Sequence, residues 1–248
     1  MGTLINILGI IGGGLVGLVA GKVLNDRFRK TINIAMGLSV IALAISGMVA
    51  EMLEISQTAA AGATTFDIAT KGTYVIIFSL VLGGIIGELI DIDSQMERLG
   101  AWLKFKTGNA KDAAFIDAFV TASLTVCIGA MAVVGAIMDG INGDHSILIT
   151  KAILDFVIIM AMTAGMGKGA IFSAIPVGVW QGAITLLATF IAPIMTDQAL
   201  GNLSMVGNIL IFCVGINIII DGRGRIKVAN LMPAIIFAVA AAYIPFLS

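Results

Sequence analysis

Six polar or ionisable residues stand out because they lie inside apolar sequence, in the stretch 119–156. This stretch reads as two apolar segments joined by a short polar turn, which predicts a helical hairpin. An ionised carboxylate at the centre of a bilayer costs about 3 kcal/mol on insertion scales. The carboxylate at position 155 therefore predicts a polar interior between helices. The six residues are Thr121, Ser123, Thr125, Cys127, Lys151 and Asp155.

The composition places these residues in a membrane protein. Hydrophobic residues make up 59% of the 248 residues and charged residues 12%, whereas a soluble domain has about 25% charged residues. The net charge of -1 and the lack of a separate basic face favour no nucleic-acid partner, so the expected partner is the lipid bilayer. Cys127 and Cys213 lie in apolar segments without metal-ligand spacing. We therefore expect neither a disulfide framework nor a metal, and no cofactor.

Eight apolar segments each approach the roughly 17 to 25 residues that a bilayer core requires. They predict an all-α polytopic protein that forms one integral membrane domain, residues 1–248. We expect a loop at 51–72 and, after the third segment, a basic amphipathic helix lying on the membrane surface. The segments are 2–21, 31–50, 73–90, 116–138, 146–166, 170–194, 204–220 and 228–247.

The basic residues predict the orientation. Four of the connections between these segments hold nearly all the Lys and Arg residues, whereas Lys71 and Lys151 lie elsewhere. By the positive-inside rule these connections are cytoplasmic, and eight spans then leave both termini outside. The residues are Lys22, Arg27, Arg29, Lys30, Arg98, Lys104, Lys106, Lys111, Lys168, Arg223, Arg225 and Lys227.

A short internal similarity bears on the architecture. The sequence GGLVGLVA at 13–20 resembles QGAITLLA at 181–188. If the first three spans match the last three, residues 1–92 and 170–248 are inverted repeats that flank a central hairpin at 116–166. Inverted repeats are typical of secondary transporters with a site between the halves. The alternative is chance, because helices rich in small residues resemble one another.

Asp155 and Lys151 are the first candidate site residues. They are four residues apart, so they share one helix face. Asp155 is expected to bind a coupling ion or substrate; the alternative is a structural ion pair or a protonated carboxyl that bridges helices. Thr121 and Ser123 are candidates for neutral contacts, although such hydroxyls often bond only to the carbonyl one turn back.

Three further candidates lie on other spans. Gln181 follows Pro176 and Gly178, where a helix break would expose backbone groups to a ligand. Asn217 is a ligand candidate or an interhelical hydrogen-bonding residue. Glu88 either closes a cytoplasmic mouth or is a solvated acid facing Arg98.

Five blocks of sequence together resemble the domain of unknown function 554 family. They are VLGGIIGELIDID, FVTASLTVCIGAM, GDHSILITKAILDF, FSAIPVGVWQGAITLLA and RIKVANLMPA, in this order along the chain. The resemblance implies a protein of the bacterial inner membrane with a role in transport; it supplies neither a substrate nor a site. That family commonly has Pro after the Cys-x-Gly of the fourth span, where this chain has Ala130. A bend there would then depend on Gly129.

The expected function is secondary transport of a small polar or charged metabolite, coupled to protons or another ion. In this hypothesis Asp155 binds the ion or a cationic group. The alternatives are an ion or solute channel, and a nontransporting sensor or scaffold in which the polar groups only join helices. No nucleophile–base pair or nucleotide-binding loop indicates an enzyme. The many small residues suggest a homodimer.

Overall fold

The chain folds almost entirely into helices. The structure, a computed structural model, describes residues 1–60, 63–220 and 225–244. Two 3-10 segments, Lys168–Ser173 and Ala192–Ile194, adjoin the helices. The helices are α1 (Gly2–Val23), α2 (Asp26–Met52), α3 (Thr73–Ile90), α4 (Ile92–Lys106), α5 (Phe115–Cys127), α6 (Ala130–Asn142), α7 (Ser146–Met166), α8 (Ala174–Leu186), α9 (Ala188–Ile191), α10 (Asp197–Ile219), α11 (Val228–Leu231) and α12 (Ala234–Ala241).

The helices confirm a multi-pass membrane fold. Six are long and apolar enough to cross a bilayer: α1, α2, α3, α7, α10 and the segment Lys168–Leu186. The pair α5 and α6 makes a seventh span if it is counted as one bent helix. The eighth predicted segment, 228–247, contains the short helices α11 and α12, and its last residues lie outside the described part of the chain. A count of eight therefore stays a prediction, as does the inverted repeat of 1–92 and 170–248.

The expected loop at 51–72 contains a β-hairpin instead. Strands β1 (Leu53–Ala60) and β2 (Ala63–Thr70) pair antiparallel, with Leu53 opposite Thr70. β-branched residues recur in both strands and favour extended backbone. The helical class holds for the rest of the described chain, but this connection is not helical.

Two helices begin earlier than the hydropathy predicted, because capping side chains extend them beyond the apolar core. α2 begins at Asp26, where the Asn25 side chain accepts a hydrogen bond from the Phe28 N–H at 3.1 Å. α10 begins at Asp197, where Thr196 Oγ1 accepts from the Ala199 N–H at 3.2 Å. Such caps satisfy N–H groups that have no partner within the helix.

Glycines allow the long helices to pack closely. A Cβ atom added at Gly13 of α1 would overlap the Phe156 carbonyl of α7, and one added at Gly87 of α3 would overlap the Asn230 carbonyl of α11. Small residues at such positions let two backbones approach. Because these glycines pack within one chain, they no longer argue for a homodimer, which stays a prediction.

The basic residues gather at one end of the helix bundle, here called the basic end. Arg29 donates to the Gly21 carbonyl at 2.7 Å, which joins the end of α1 to the start of α2. At the opposite end the amino group of Met1 lies 3.3 Å from Asp139, whose carboxylate also contacts His145 at 2.5 Å. This distribution agrees with the predicted alternation of the loops; Arg223 lies outside the described residues.

Candidate functional site

The fourth span is broken in its middle. α5 ends at Cys127 and α6 begins at Ala130, and their axes differ by 62°. Gly129 has φ 148° and ψ 147°, a conformation that is essentially confined to glycine because it has no Cβ. The absence of Pro had put a break here in doubt; the structure has one, at the Gly129 that could still permit it.

The break releases a backbone carbonyl to a charged side chain. In a continuous helix the Val126 carbonyl would accept from the N–H of Ala130; here it accepts from Lys151 Nζ at 2.9 Å. Lys151 Nζ also donates to Asp155 Oδ2 at 2.5 Å, and the two side chains are only 8% and 5% exposed. The two residues therefore share one face of α7, as predicted, and they form the ion pair that was the alternative to an ion-binding Asp155.

A cavity of about 310 Å³ lies beside this pair. Most of its wall is apolar, and three of its apolar residues are well exposed: Leu43 (65%), Leu154 (49%) and Met131 (38%). These residues lie on α2, α7 and α6, so the cavity has its mouth on the side of the helix bundle, between those three helices. The polar side chains of the wall are Thr125, Lys151, Asp155, Ser204 and Asn208.

A second polar contact extends from the pair into the protein. Asn6 of α1 donates to Gln181 Oε1 of α8 at 3.1 Å, and both residues are fully buried. The Asn6 side chain also interacts with the Asp155 carboxylate. Within the described chain, Asn6 Oδ1 and Gln181 Nε2 have no hydrogen-bond partner. Gln181 was a predicted site residue, whereas sequence reasoning missed Asn6.

The predicted break near Pro176 is not present. Pro176 lies in the first turn of α8, where a missing N–H costs no helical hydrogen bond. The backbone instead departs from helix at Leu187, almost two turns after Gln181. Gln181 therefore makes its contact with Asn6 through its side chain, and the backbone beside it remains helical.

The hydroxyl candidates do not surround Asp155. Ser123 donates to the Phe119 carbonyl at 2.7 Å, and Thr125 donates to the Thr121 carbonyl at 2.8 Å. Both bonds are local contacts to the preceding turn. Thr121 accepts from Arg225 at 3.1 Å, which places it toward the basic end.

Two other candidates lie beside the segment that precedes α11. Asn217 donates to the Ile226 carbonyl at 2.8 Å and accepts from its N–H at 2.9 Å. Glu88 accepts from Lys227 at 3.1 Å and from Asn230 at 2.7 Å. The structure thus brings three predicted site residues together, but around this segment and not around Asp155. We call this group the basic-end cluster: Glu88, Asp117, Thr121, Asn217, Arg225, Lys227 and Asn230.

The electrostatics of the basic-end cluster are those of a partly solvated network. Arg225 pairs with Asp117 at 2.7 Å, and hydrogen bonding to Glu88 raises the pKa of Lys227. Burial raises the pKa of Asp93, whose N–H donates to Asn230 Oδ1 at 2.7 Å. Exposed pairs of this kind contribute little to stability, because water screens their attraction. They can therefore hold the segment before α11 while remaining easy to break.

The part of the chain that the structure describes contains no group of three or more His, Cys, Asp or Glu residues arranged to hold a metal ion. Cys127 and Cys213 are free thiols.

Comparison with known proteins identifies the family. A family model described as "Protein of unknown function (DUF554)" matches residues 1–243. The chain belongs to the DUF554 family. The resemblance found in the sequence blocks is thereby confirmed.

Two relatives show how far the similarity of this DUF554 chain extends. It is 26% identical over 235 residues to "Uncharacterized membrane protein YdfK" of Bacillus subtilis, and the alignment covers 95% of this chain and 92% of the relative. It is 26% identical over 242 residues to "Uncharacterized protein YqgA" of Escherichia coli, which covers 96% and 94%. No solved structure matches the chain. The comparisons support a multi-pass membrane protein and name no substrate.

Proposed function

We propose that this DUF554 protein is a secondary transporter of a small polar or charged metabolite, coupled to protons or another ion. One observation carries the proposal: the buried Lys151–Asp155 pair holds a carbonyl freed by the broken fourth span, in the wall of a cavity halfway along α2, α7 and α10. Broken helices that expose backbone at membrane depth are typical of transporter sites. Such backbone persists only where protein or a cavity surrounds it.

The pair suits exchange of partners. An anionic group of the substrate can replace Asp155 at Lys151 when Asp155 is protonated, because Asp155 is bonded to Lys151 through Oδ2 alone. Ser204 and Asn208 line the same cavity and supply neutral hydrogen-bonding groups. The proton on Asp155 then neutralises the displaced carboxylate, and the substrate anion pairs with Lys151, so no unpaired charge remains in the apolar interior.

In this proposal the basic-end cluster closes the route from the basic end to the cavity. Arg225 and Lys227 join the segment before α11 to α5 and α3. Their bonds are partly exposed, so the segment can part from those helices at small cost. Rocking of the helices would then open the basic end to the pair, as alternating access requires.

We also propose that the protein lies in the bacterial inner membrane with the basic end in the cytoplasm and both termini outside. The support is the collection of Lys and Arg at one end of the bundle, which follows the positive-inside rule. A thiol introduced as Lys111→Cys should then be protected from an impermeant reagent added to intact cells. Labelling from outside would contradict this orientation.

A homodimer remains part of the proposal. The support is the sideways mouth of the cavity, whose rim residues Leu43 and Leu154 are exposed and apolar. A second copy packed there would separate the pair from lipid.

The transport proposal is tested with purified protein in liposomes. Liposomes are given a mixture of amino acids, amines and organic acids under a pH or Na⁺ gradient, and the internal content is measured by mass spectrometry. We expect at least one compound to accumulate with the wild type and not with Asp155→Asn. The matched control, Asp26→Asn, removes an exposed carboxylate in the first turn of α2, outside the cavity and the basic-end cluster, and should retain accumulation.

The other outcomes distinguish the alternatives. Equilibration without accumulation, unchanged in Asp155→Asn, would indicate a channel. No uptake of any compound, together with loss of folded protein in Asp155→Asn, would indicate a scaffold in which the pair only joins helices.

A further inference from the structure

The contacts of Lys151 match those of a bound cation. Its Nζ atom lies 2.5 Å from a carboxylate oxygen of Asp155 and 2.9 Å from the freed carbonyl of Val126. In many secondary transporters, carbonyl oxygens at the ends of broken helices coordinate the Na⁺ ion. In this protein an ammonium group of the same charge already occupies the place between these two oxygens.

We propose that Lys151 is a tethered cation in the coupling-ion position, so that the protein is coupled to protons and not to Na⁺. This inference rests on the proposed function, because only a transporter has a coupling ion. Lys151 is on the same helix as Asp155, one turn away, and its side chain is 8% exposed. It therefore occupies the site permanently, without any ion from solution.

A Na⁺ ion would have to bind beside this ammonium. Two like charges about 4 Å apart at an effective dielectric constant of 20 repel strongly enough to weaken binding by about a thousand-fold. The ammonium opposes a proton as well, but the proton bonds covalently to Asp155 and gives a neutral acid, which the apolar surroundings favour over a buried carboxylate and which Na⁺ cannot form. The Lys151 ammonium then loses its partner and becomes available to an anionic group of the substrate.

The neighbouring helices surround the pair with uncharged groups. α5 lines the cavity with the Thr125 hydroxyl, and its Cys127 thiol interacts electrostatically with the pair. α1 adds the neutral amide of Asn6. α10 contributes Ser204 and Asn208 to the cavity, and the residues of α2 there are apolar. Among the described residues that line the cavity, Lys151 and Asp155 are the charged ones.

Cation binding can be tested without a known substrate. The melting temperature of the purified full chain in detergent is measured in NaCl and in choline chloride at equal concentration. We expect no difference for the wild type or for Lys151→Arg, which keeps a tethered cation. Lys151→Met should gain a stabilisation specific to Na⁺, because the Asp155 carboxylate and the Val126 carbonyl become vacant. The control Lys151→Met/Asp155→Asn should not gain it.

Two results would overturn the inference: stabilisation of the wild type by Na⁺ over choline, or a folded Lys151→Met variant that is indifferent to Na⁺. If Lys151→Met does not fold, radioactive ²²Na⁺ binding to the wild type decides. No saturable binding is expected, whereas saturable binding that Asp155→Asn abolishes would refute the tethered cation. Because these experiments measure binding in detergent, their outcome is independent of whether liposomes accumulate any compound.

Discussion

Replacing both members of the Lys151–Asp155 pair separates a stabilising ion pair from a transport site. The perturbation is Lys151→Met together with Asp155→Leu, which exchanges both charges for apolar side chains. The two side chains are almost completely buried, at 8% and 5% exposure. Their attraction must therefore offset the large cost of removing two charges from water.

The expected magnitudes differ between single and double variants. Asp155→Leu alone leaves the ammonium buried without its partner, which costs about 3 to 5 kcal/mol in the free energy of unfolding. Lys151→Met alone leaves a buried carboxylate and costs a similar amount, reduced where that carboxylate becomes protonated. The double variant should be neutral or up to about 4 kcal/mol more stable, as apolar replacements of buried ion pairs often are.

The assay is titration with SDS in mixed micelles, followed by helical circular dichroism, alongside the liposome uptake experiment. We expect the double variant to unfold at the same or higher SDS fraction than the wild type and to lose uptake completely. A stable double variant that still transports would show that the pair has no role in carriage. A double variant as unstable as the single ones would refute this reasoning, because the instability would then come from loss of the pair itself and not from an unpaired buried charge.

Three further predictions concern particular residues. Gly129→Ala should lower the free energy of unfolding by about 1 to 3 kcal/mol, because φ is 148° there. The control Gly182→Ala should not lower it, because the added Cβ meets no atom within 4 Å. Equal stabilities of the two variants would contradict a break that requires glycine. Gly13→Ala should cost about 1 to 3 kcal/mol by overpacking in the same titration, whereas at neighbouring Gly12 the added Cβ lies 3.4 Å from Phe156 and the loss should be smaller; the reverse order would exclude the α1–α7 contact. Hydrogen bonds from Ser146 lower the pKa of Asp144, so the stabilisation by Asp144 is present above the ordinary aspartate pKa and is lost as pH falls through the lowered value. Asp144→Ala should therefore be less stable than the wild type at pH 7, and the two stabilities should converge in acid. A difference in stability that does not change with pH would refute this origin.

The sequence predicted the pair because its signal is local. Asp155 and Lys151 lie in an apolar segment at helical spacing, and the segment, Ser146–Met166, was found as predicted. Their bond is the ion pair that was given as the alternative to an ion-binding Asp155. The bend at Gly129 was also accessible, since a glycine was the remaining residue that could permit it.

The rest of the site depends on contacts that no local pattern shows. Asn6 meets Gln181 across 175 positions of sequence, and it is one isolated amide in an apolar helix. Thr121, Asn217 and Glu88 were grouped with Asp155 because they are polar residues near spans, but their partners lie in the segment before α11. A hydropathy pattern indicates how far along a membrane-spanning helix a residue lies, but it does not show which residue of another helix that residue contacts.

The most direct measurement of the central claim is whether water reaches the cavity beside Asp155. In a background with Cys127→Ala and Cys213→Ala, Asn208→Cys places a thiol in the cavity wall, and Val157→Cys places one on the lipid-facing side of α7, where the side chain is 52% exposed. A charged, water-soluble methanethiosulfonate reagent should modify position 208 and leave position 157 unmodified. Failure to modify position 208 from either side of the membrane would contradict a transport site at the Lys151–Asp155 pair.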